Sequence, residues 1–324
     1  MKTPRITLPT GPSNGIESET ATQPWRRHPI RLALGKRYYI ARRHLAWRSG
    51  RYRWARPQPD LLEVVQTSHA TPLRRQLSSA DEQTHQGKVN NLSLAAAKLD
   101  GTRLEPGQTF SYWRLIGPTT ARRGYKPGMI LSYGEVISGV GGGLCQLSNL
   151  IYWMTLHTPL TVTELHRHGY DVFPDAGRTQ PFGSGATCFY NYGDLMIRND
   201  TDRPFQLHVW LSADELLGEW RSNQAPQQTY QVFEAEHIFR QEAWGGYSRH
   251  NLIHRHVHQA DGTPLADEFV AENHALVMYS PLLPGTQTPT DAPNSTDPAD
   301  RTDAPNSTDP ADRTDAPNGT AGDI

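Results

Sequence analysis

Cysteine is scarce in this sequence. Only Cys145 and Cys188 occur among 324 residues, and neither has a second cysteine nearby to give the paired spacing of a zinc site. Two cysteines are also too few for a secreted scaffold held by disulfides, and a chain of this length can bury a core without them. The composition therefore favours a reducing compartment.

Long apolar runs are missing as well. The N-terminal segment MKTPRITLPTGPSNGIESETATQP has no apolar stretch behind its positive charges. We expect neither a secretory signal there nor a membrane-spanning helix further along the chain. The sequence therefore predicts a soluble protein of the cytoplasm, with peripheral contact at the inner membrane face as an extension of that prediction.

Acidic residues are absent from residues 26–56, although the whole chain has a formal net charge of only −1. Arginine and lysine alternate there with five aromatic residues, Tyr38, Tyr39, Trp47, Tyr52 and Trp54. Such a segment suits a basic helix packed on the domain body, a peripheral contact with an anionic membrane, or RNA binding. Nucleic acid is the least favoured of these partners.

The C-terminal end of the chain is repetitive. The string TDAPNSTDPADR begins at Thr290 and again at Thr302, and it contains almost no apolar residue. Such a segment cannot bury enough surface to offset the entropy of ordering its backbone. We therefore expect a basic, partly disordered N-terminal arm at 1–59, a folded domain at 60–282, and a disordered tail at 283–324.

The central sequence predicts an α+β fold with a mainly antiparallel sheet and few helices. Apolar residues recur at helical spacing in KVNNLSLAAAKLDG and in LCQLSNLIYWMTLH, which predicts two helices. The segment TFSYWRLIG is predicted to be extended, and MILSYGEVISG is typical of a hairpin. From Thr161 to Tyr279, apolar runs separated by turn residues predict strands, one of them in ATCFYNYGDLMIRN.

A glycine-rich turn, SGVGGGLCQLSN at residues 138–149, comes directly before the second helix. A thiol in the first turn of a helix lies near unpaired amides and the positive end of the helix dipole, and both stabilise the thiolate. We therefore expect the pKa of Cys145 to lie below the roughly 8.5 of a free cysteine. Gly141, Gly142 and Gly143 let a substrate approach the backbone, so the amides near Gly143 and Cys145 are candidate oxyanion donors.

Helical geometry places Cys145 on a polar face that we expect to line a substrate cleft. The other candidate substrate-binding residues on or beside this helix are Gln146, Ser148, Asn149 and Tyr152.

A nucleophile also needs a base, and the segment ELHRHGYDVFPD follows about twenty residues later. His168 and His166 are the candidate bases, and Asp171 or Asp175 is the candidate carboxylate that orients the imidazole.

The same residues also fit less specific roles. A glycine-rich turn before a helix is common, and free cysteine is among the most buried residue types. Zinc binding by Cys145, His166 and His168 is a less favoured alternative, because no compact ligand pair precedes them. A nucleotide triphosphate site is disfavoured, because no Lys-Ser or Lys-Thr follows the glycines. The sequence predicts neither a cofactor nor a bound metal.

Three stretches of the chain together resemble the VanW family of bacterial proteins. They are GKVNNLSLAAAKLDG, PGQTFSYWRLIGPTTARRGYKPGMILSYGEVISGVGGGLCQLSNLIYW and HTPLTVTELHRHGYDVFPDAGRTQPFGSGATCFYNYGDLMIRNDTD, and the dense match covers residues 85–221. The residues that carry the resemblance are Phe110, Gly117, Gly124, Tyr125, Gly139, Gly141, Gly142, Gly143, Cys145, Gln146, Ser148, Tyr152, Glu164, His168, Arg198, Asn199 and Thr201.

The resemblance implies an accessory role in glycopeptide (vancomycin) resistance and cell-wall peptidoglycan metabolism, without a defined activity. One hypothesis is a cysteine acyl-transferase or amidase acting on a peptidoglycan precursor peptide. It makes Cys145 the nucleophile, His168 or His166 the base and Asp171 the orienting carboxylate. The other is a non-catalytic protein that binds a cell-wall precursor or a resistance-cluster partner.

Overall fold

The structure, a computed structural model, describes residues 29–74, 82–132, 135–172 and 180–281. The predicted tail at 283–324, the first 28 residues of the predicted arm and Asp175 lie outside these ranges.

The described residues form four α-helices and fifteen strands. The helices are α1 (Pro29–Arg48), α2 (Glu82–Leu99), α3 (Tyr112–Ile116) and α4 (Cys145–Leu156). The strands in the first half are β1 (Arg53–Trp54), β2 (Arg56–Pro57), β3 (Val64–Pro72), β4 (Thr102–Leu104), β5 (Gln108–Ser111), β6 (Pro127–Ser132) and β7 (Glu135–Val140). The later strands are β8 (Thr161–Glu164), β9 (Tyr170–Asp171), β10 (Met196–Arg198), β11 (Phe205–Leu211), β12 (Glu215–Ser222), β13 (Gln228–Gln241), β14 (Tyr247–Gln259) and β15 (Pro264–Val277).

The strands pair mainly antiparallel. They form three sheets of order β1-β5-β10-β8, β2-β4-β11-β12-β3 and β13-β14-β15-β9, and the separate hairpin β6-β7. Within the described ranges, only the β1–β5 and β15–β9 pairs run parallel. The predicted α+β class with a mainly antiparallel sheet is therefore confirmed.

Helix α4 lies at the centre of the core. It packs on β12 and β3, and nine of its twelve residues are buried, polar ones included. The indole nitrogen of Trp220 on β12 donates to Thr155 Oγ1 at 3.1 Å, and at Gly218 a Cβ would lie only 2.7 Å from Met154 Cε. A helix buried on most sides is held rigidly, so the position of Cys145 is fixed by the packing of α4.

Two local predictions were wrong. The segment TFSYWRLIG is not extended throughout, because Ser111 caps a new helix: its hydroxyl accepts the Arg114 amide at 3.3 Å and α3 follows. In ATCFYNYGDLMIRN only Met196–Arg198 forms a strand, because the Asn-Tyr-Gly turn reverses the chain and Phe189 pairs with Gly193.

The basic segment is attached to the domain. The guanidinium of Arg43 on α1 donates to Glu164 at the end of β8, with Nη1 to Oε2 at 2.7 Å. Strands β1 and β2 fall within the predicted arm at 1–59, and they pair with β5 and β4 of the domain. No helix in the described part of the chain is both long and apolar enough to cross a bilayer.

Candidate thiol site around Cys145 and Cys188

The glycine turn fastens the start of α4 to the β6–β7 hairpin. Gly141 and Gly143 have φ values of 83° and 92°, a left-handed region that favours glycine. Their amides donate to the carbonyls of Lys126 at 3.0 Å and Met129 at 2.8 Å. The Gly143 amide is therefore already used and is not free to act as an oxyanion donor.

Gly142 is required by close backbone packing. A Cβ at this position would lie 2.2 Å from the Gly128 carbonyl oxygen. The Gly142 carbonyl accepts the side-chain amide of the buried Asn91 at 2.9 Å. Its own amide donates to Gly139 O at 3.0 Å. Among the described residues, the amide of Leu144 donates to no backbone carbonyl, whereas that of Cys145 donates to its own thiol, so Leu144 N–H is the donor left at the turn.

The polar face of α4 is covered by the chain at residues 182–188. Ser148 Oγ donates to the Ala186 carbonyl at 2.7 Å, and the Ala186 amide donates to Asn149 Oδ1 at 2.7 Å. Tyr152 is buried, and its hydroxyl accepts Arg167 Nη2 at 3.0 Å. Ser148, Asn149 and Tyr152 therefore hold structure together and do not line an open cleft, contrary to expectation.

Gln146 points towards β3. Its Nε2 donates to Thr71 Oγ1 at 2.8 Å and to the Pro72 carbonyl at 3.0 Å. Its Oε1 is buried without a partner among the described residues. The side-chain nitrogen of Gln146, a predicted substrate-binding residue, is therefore already hydrogen-bonded within the protein, and its side-chain oxygen is not.

The chain at residues 182–188 also places Cys188 against Cys145. The backbone N–H of Cys188 and that of Cys145 itself both donate to the Cys145 thiol, and the Ser148 hydroxyl contacts the Cys188 thiol. Burial raises the pKa of Cys145, and these amide hydrogen bonds lower it by less. The prediction of a lowered Cys145 pKa is wrong, because desolvation raises the pKa by more than the amides at the start of the helix lower it.

Burial also raises the pKa of Cys188 well above its ordinary value, with the charges of Cys145 and Asp194 adding to the effect. Sequence reasoning did not include Cys188 in the site, since nothing in the spacing of residues 145 and 188 indicates that they meet.

Two carboxyl groups complete the polar part of the site. Asp194 is fully buried, and burial raises its pKa to about 7 although the Ser111 hydroxyl and the Trp113 amide donate to it. At Glu164 burial alone would raise the pKa, but hydrogen bonds from His166, Arg43 and the Asp194 amide lower it to about 2. The backbone N–H of Asp194 donates to Glu164 Oε1 at 3.0 Å, and this bond links the two residues.

The predicted cysteine–histidine–aspartate set is not assembled. Within the described ranges no hydrogen bond joins either imidazole to the Cys145 thiol. His166 Nε2 lies 3.0 Å from Glu164 Oε1, and its carbonyl accepts the Thr187 amide at 2.8 Å, next to Cys188. Burial lowers the pKa of His168, whose ring is 6.5 Å from that of Phe189.

Asp171 belongs to a different hydrogen-bond network. Its Oδ2 accepts Arg249 Nη1 at 3.0 Å and the Tyr279 hydroxyl at 2.9 Å. Glu164, not Asp171, therefore contacts a candidate base. Glu164 was visible in the sequence only as one of the residues that carry the family resemblance.

The loop 189–193 forms the outer part of the site. Phe189 and Tyr192 are 41% and 38% exposed, and their rings stack at 6.0 Å. Asn191 between them is fully buried, and both of its side-chain polar atoms lack a partner among the described residues. No group of three or more histidine, cysteine or carboxylate side chains in the described chain is placed to hold a metal ion.

Comparison with known proteins places these residues in one family. Residues 87–221 match the family model described as VanW like protein. The chain is 32% identical over 194 residues to "Vancomycin B-type resistance protein VanW" of Enterococcus faecalis (strain ATCC 700802 / V583), covering 60% of this chain and 70% of that protein. It is 29% identical over 126 residues to "Uncharacterized protein YoaR" of Bacillus subtilis (strain 168), covering 39% and 40%. No solved structure matches the chain. With the glycine turn, the thiol and Glu164 all inside the matched region, the chain belongs to the VanW family.

Proposed function

We propose that this chain takes part in glycopeptide resistance and cell-wall metabolism by thiol-dependent acyl transfer on a peptidoglycan precursor peptide. The observation that carries the proposal is the Cys145 thiol. It belongs to the first residue of α4 and accepts hydrogen bonds from two backbone N–H groups. The backbone N–H of Cys188 is one of these two donors. The charges of Asp194 and Glu164, whose pKa values are about 7 and about 2, act on the Cys188 thiol. Such clustering of perturbed groups is typical of functional sites. The similarity to a protein named for vancomycin B-type resistance supports the biological setting.

The chemistry follows from the neutral state of the buried thiol. Because burial raises the pKa of Cys145, the proton must leave as the sulfur attacks. In the proposed step a base accepts the thiol proton, the sulfur bonds to the carbonyl carbon of a peptide amide, and the C–N bond breaks. The amine departs with the proton and leaves a thioester, which a second amine or water then attacks to regenerate the thiol.

His166 is the preferred base and Glu164 the residue that orients it, because these two side chains are in contact. His168 has no such carboxylate partner within the described residues, and Asp171 is bound to Arg249 and Tyr279. The amide of Leu144 is the proposed oxyanion donor, and the exposed rings of Phe189 and Tyr192 are the proposed outer contact for the peptide.

The proposal extends to where the reaction takes place. Precursors that are still lipid-linked would be reached at the inner membrane face, and the basic, aromatic surface of α1 would supply a peripheral contact there.

The test is to trap the thioester. We expect full-length protein incubated with a synthetic peptidoglycan stem peptide to gain the mass of the acyl fragment, as measured by intact mass spectrometry. Cys145→Ala should abolish the adduct, and His166→Gln should slow its formation by roughly 10²–10⁴-fold, the usual contribution of a general base.

Cys188→Ser is the matched control, because it changes the neighbouring thiol and keeps the proposed nucleophile. It should retain the adduct. An adduct that persists in Cys145→Ala, or one that disappears only in Cys188→Ser, would overturn the assignment.

A non-catalytic role is the second candidate, and one observation favours it. The polar face of α4 is covered and the thiol is neutral, as expected for a packing residue. This alternative predicts that Cys145→Ser binds the stem peptide and supports glycopeptide resistance as the wild type does. Loss of resistance with peptide binding intact would decide for the enzyme.

A further inference from the structure

One cavity is lined by none of the residues of the thiol site. It has a volume of about 310 Å³ and lies between the C-terminal turn of α1 and α3, lined by His44, Trp47, Arg48 and Arg114. This volume falls at the lower end of the range for small-ligand pockets, about 300–1,000 Å³. Among the described residues, no carboxylate lines the cavity.

Its two arginines have no counter-charge. Neither the Arg48 nor the Arg114 guanidinium donates a hydrogen bond or forms an ion pair with any described residue, whereas Arg43 on the same helix is paired with Glu164. The Arg114 guanidinium lies over the Trp54 ring at 5.0 Å, and burial and then Arg56 lower its pKa. Two uncompensated guanidinium groups around one cavity attract an anion.

A buried donor without an acceptor lies at the same place. The indole Nε1 of Trp47 is buried and has no hydrogen-bond partner in the described chain. Trp47 itself lines the cavity, and buried polar groups are almost always paired, so its N–H is a donor for which the described residues supply no acceptor.

Hydrogen bonds to two of its last carbonyls reduce the negative partial charge at the C-terminal end of α1. The Trp47 carbonyl accepts Trp54 Nε1 at 3.0 Å, and the Ala46 carbonyl accepts the Ser49 hydroxyl at 2.9 Å. With these terminal carbonyls occupied, the guanidinium and indole donors determine the charge preference of the cavity.

We propose that this cavity binds a phosphate group. Guanidinium forks match phosphate oxygens in paired hydrogen bonds, and the indole N–H provides a further donor for the same group. The phosphate belongs either to a soluble phosphate ester or to the headgroup of an anionic lipid. The second source is consistent with α1, whose exposed surface carries Leu34, Tyr38 and Leu45 among its basic residues. The proposal uses neither Cys145 nor any other residue of the proposed acyl transfer.

The first arm of the test is calorimetry with the full chain. Inorganic phosphate, titrated at constant ionic strength, should bind saturably, and chloride should not. Arg114→Gln removes a charged donor and Trp47→Phe removes only the N–H, and each should weaken phosphate binding by about tenfold or more. Arg37→Gln, an exposed α1 position outside the cavity, is the matched control and should leave the affinity unchanged.

The second arm identifies the source of the phosphate by sedimentation with phosphatidylglycerol vesicles, with phosphatidylcholine vesicles as the zwitterionic comparison. A lipid ligand requires Arg114→Gln to lose vesicle binding more than Arg37→Gln does. Equal losses, with saturable phosphate binding intact in the wild type, assign the cavity to a soluble phosphate ester.

The proposal is overturned if the wild type binds neither phosphate nor phosphatidylglycerol saturably. It is also overturned if Arg37→Gln weakens phosphate binding as much as Arg114→Gln. Thermal unfolding of each variant shows whether a loss of binding reflects a loss of folding, and Trp47→Phe provides the second route if Arg114→Gln does not fold.

Discussion

At the scale of residues, Asp194 and Glu164 show how the same chemical group can be placed at two extremes of acidity. Both are largely removed from water, but Glu164 accepts from a guanidinium, an imidazole and an amide, whereas Asp194 is held by the neutral donors Ser111 and Trp113. At Asp194 these neutral donors do not offset the desolvation of the buried carboxylate. Asp194 is therefore close to half protonated at neutral pH, next to a carboxylate that stays ionised.

This difference predicts opposite effects on stability. The folded pKa of Asp194, about 7, lies above its ordinary 3.8, so its stabilising effect is complete below about pH 3.8 and is lost as pH rises through 7. Chemical denaturation across a pH series should show the free energy of unfolding of the wild type falling between pH 4 and 7 relative to Asp194→Asn.

Glu164→Gln is the companion variant. The folded pKa of Glu164, about 2, lies below its ordinary 4.5, so the advantage of the wild type over this variant should be present above pH 4.5 and be lost as pH falls towards 2. Parallel pH profiles for the wild type and both variants would contradict the two assignments.

At the scale of elements, the glycine turn joins three pieces of structure. Its amides and carbonyls contact the β6–β7 hairpin and Asn91 of α2, and α4 begins where it ends. The glycines are needed for close backbone packing and hydrogen bonding, and this packing determines where the Cys145 thiol lies.

Substitution of Gly142 tests this arrangement. Gly142→Ala places a Cβ 2.2 Å from a backbone carbonyl, which cannot move away as a side chain can, so we expect a loss of about 1–3 kcal/mol in the free energy of unfolding. Gly35→Ala in α1 is the control, since nothing lies within 4 Å of its Cβ position, and it should gain about 0.5–1 kcal/mol from helix propensity. Equal effects in denaturation curves would contradict the role of close packing at Gly142.

Elements set by local pattern were predictable from the sequence. Apolar spacing predicted α2, α4 and the β6–β7 hairpin, because each depends on residues within one window of the chain. The covering of α4 was not predictable in this way. Periodicity shows that Ser148 and Asn149 share a polar face, but not that the backbone of Ala186 satisfies them.

The same limit applies to the site. The pKa of Cys145 depends on burial by residues some forty positions away, and the contact between His166 and Glu164 depends on local backbone shape more than on residue type. Desolvation of the Cys145 thiol changes its pKa more than the amides at the start of the helix do, and desolvation depends on the tertiary fold.

At the scale of the whole molecule, Glu164 links the basic helix to the thiol site. The Arg43 guanidinium reaches it from α1, His166 contacts it from the loop after β8, and the Asp194 amide contacts it from the residues just before β10. We therefore expect a change in how α1 lies on the domain to reach Glu164, the group that orients the proposed base.

Arg43→Gln tests this link. Removing one partner of a largely buried pair, with side chains 15% and 23% exposed, should cost about 1–3 kcal/mol, less than for a fully buried pair. Hydrogen exchange followed by mass spectrometry should show faster exchange in α1, while Arg42→Gln, exposed on the same helix, should exchange as the wild type does. Unchanged protection of α1 in Arg43→Gln would contradict the role of the pair.

The way the first strands pair also determines how far the protein can be trimmed for expression. A truncation that starts at residue 60 removes β1 from the edge of one sheet and β2 from the edge of another, and it leaves Glu164 without its guanidinium. Uncovered strand edges favour aggregation, and Glu164 would lose the charged hydrogen bonds from Arg43 that help to keep it ionised. A trimmed protein that keeps the thiol site intact therefore has to include α1, even though the family model matches only from residue 87 onwards.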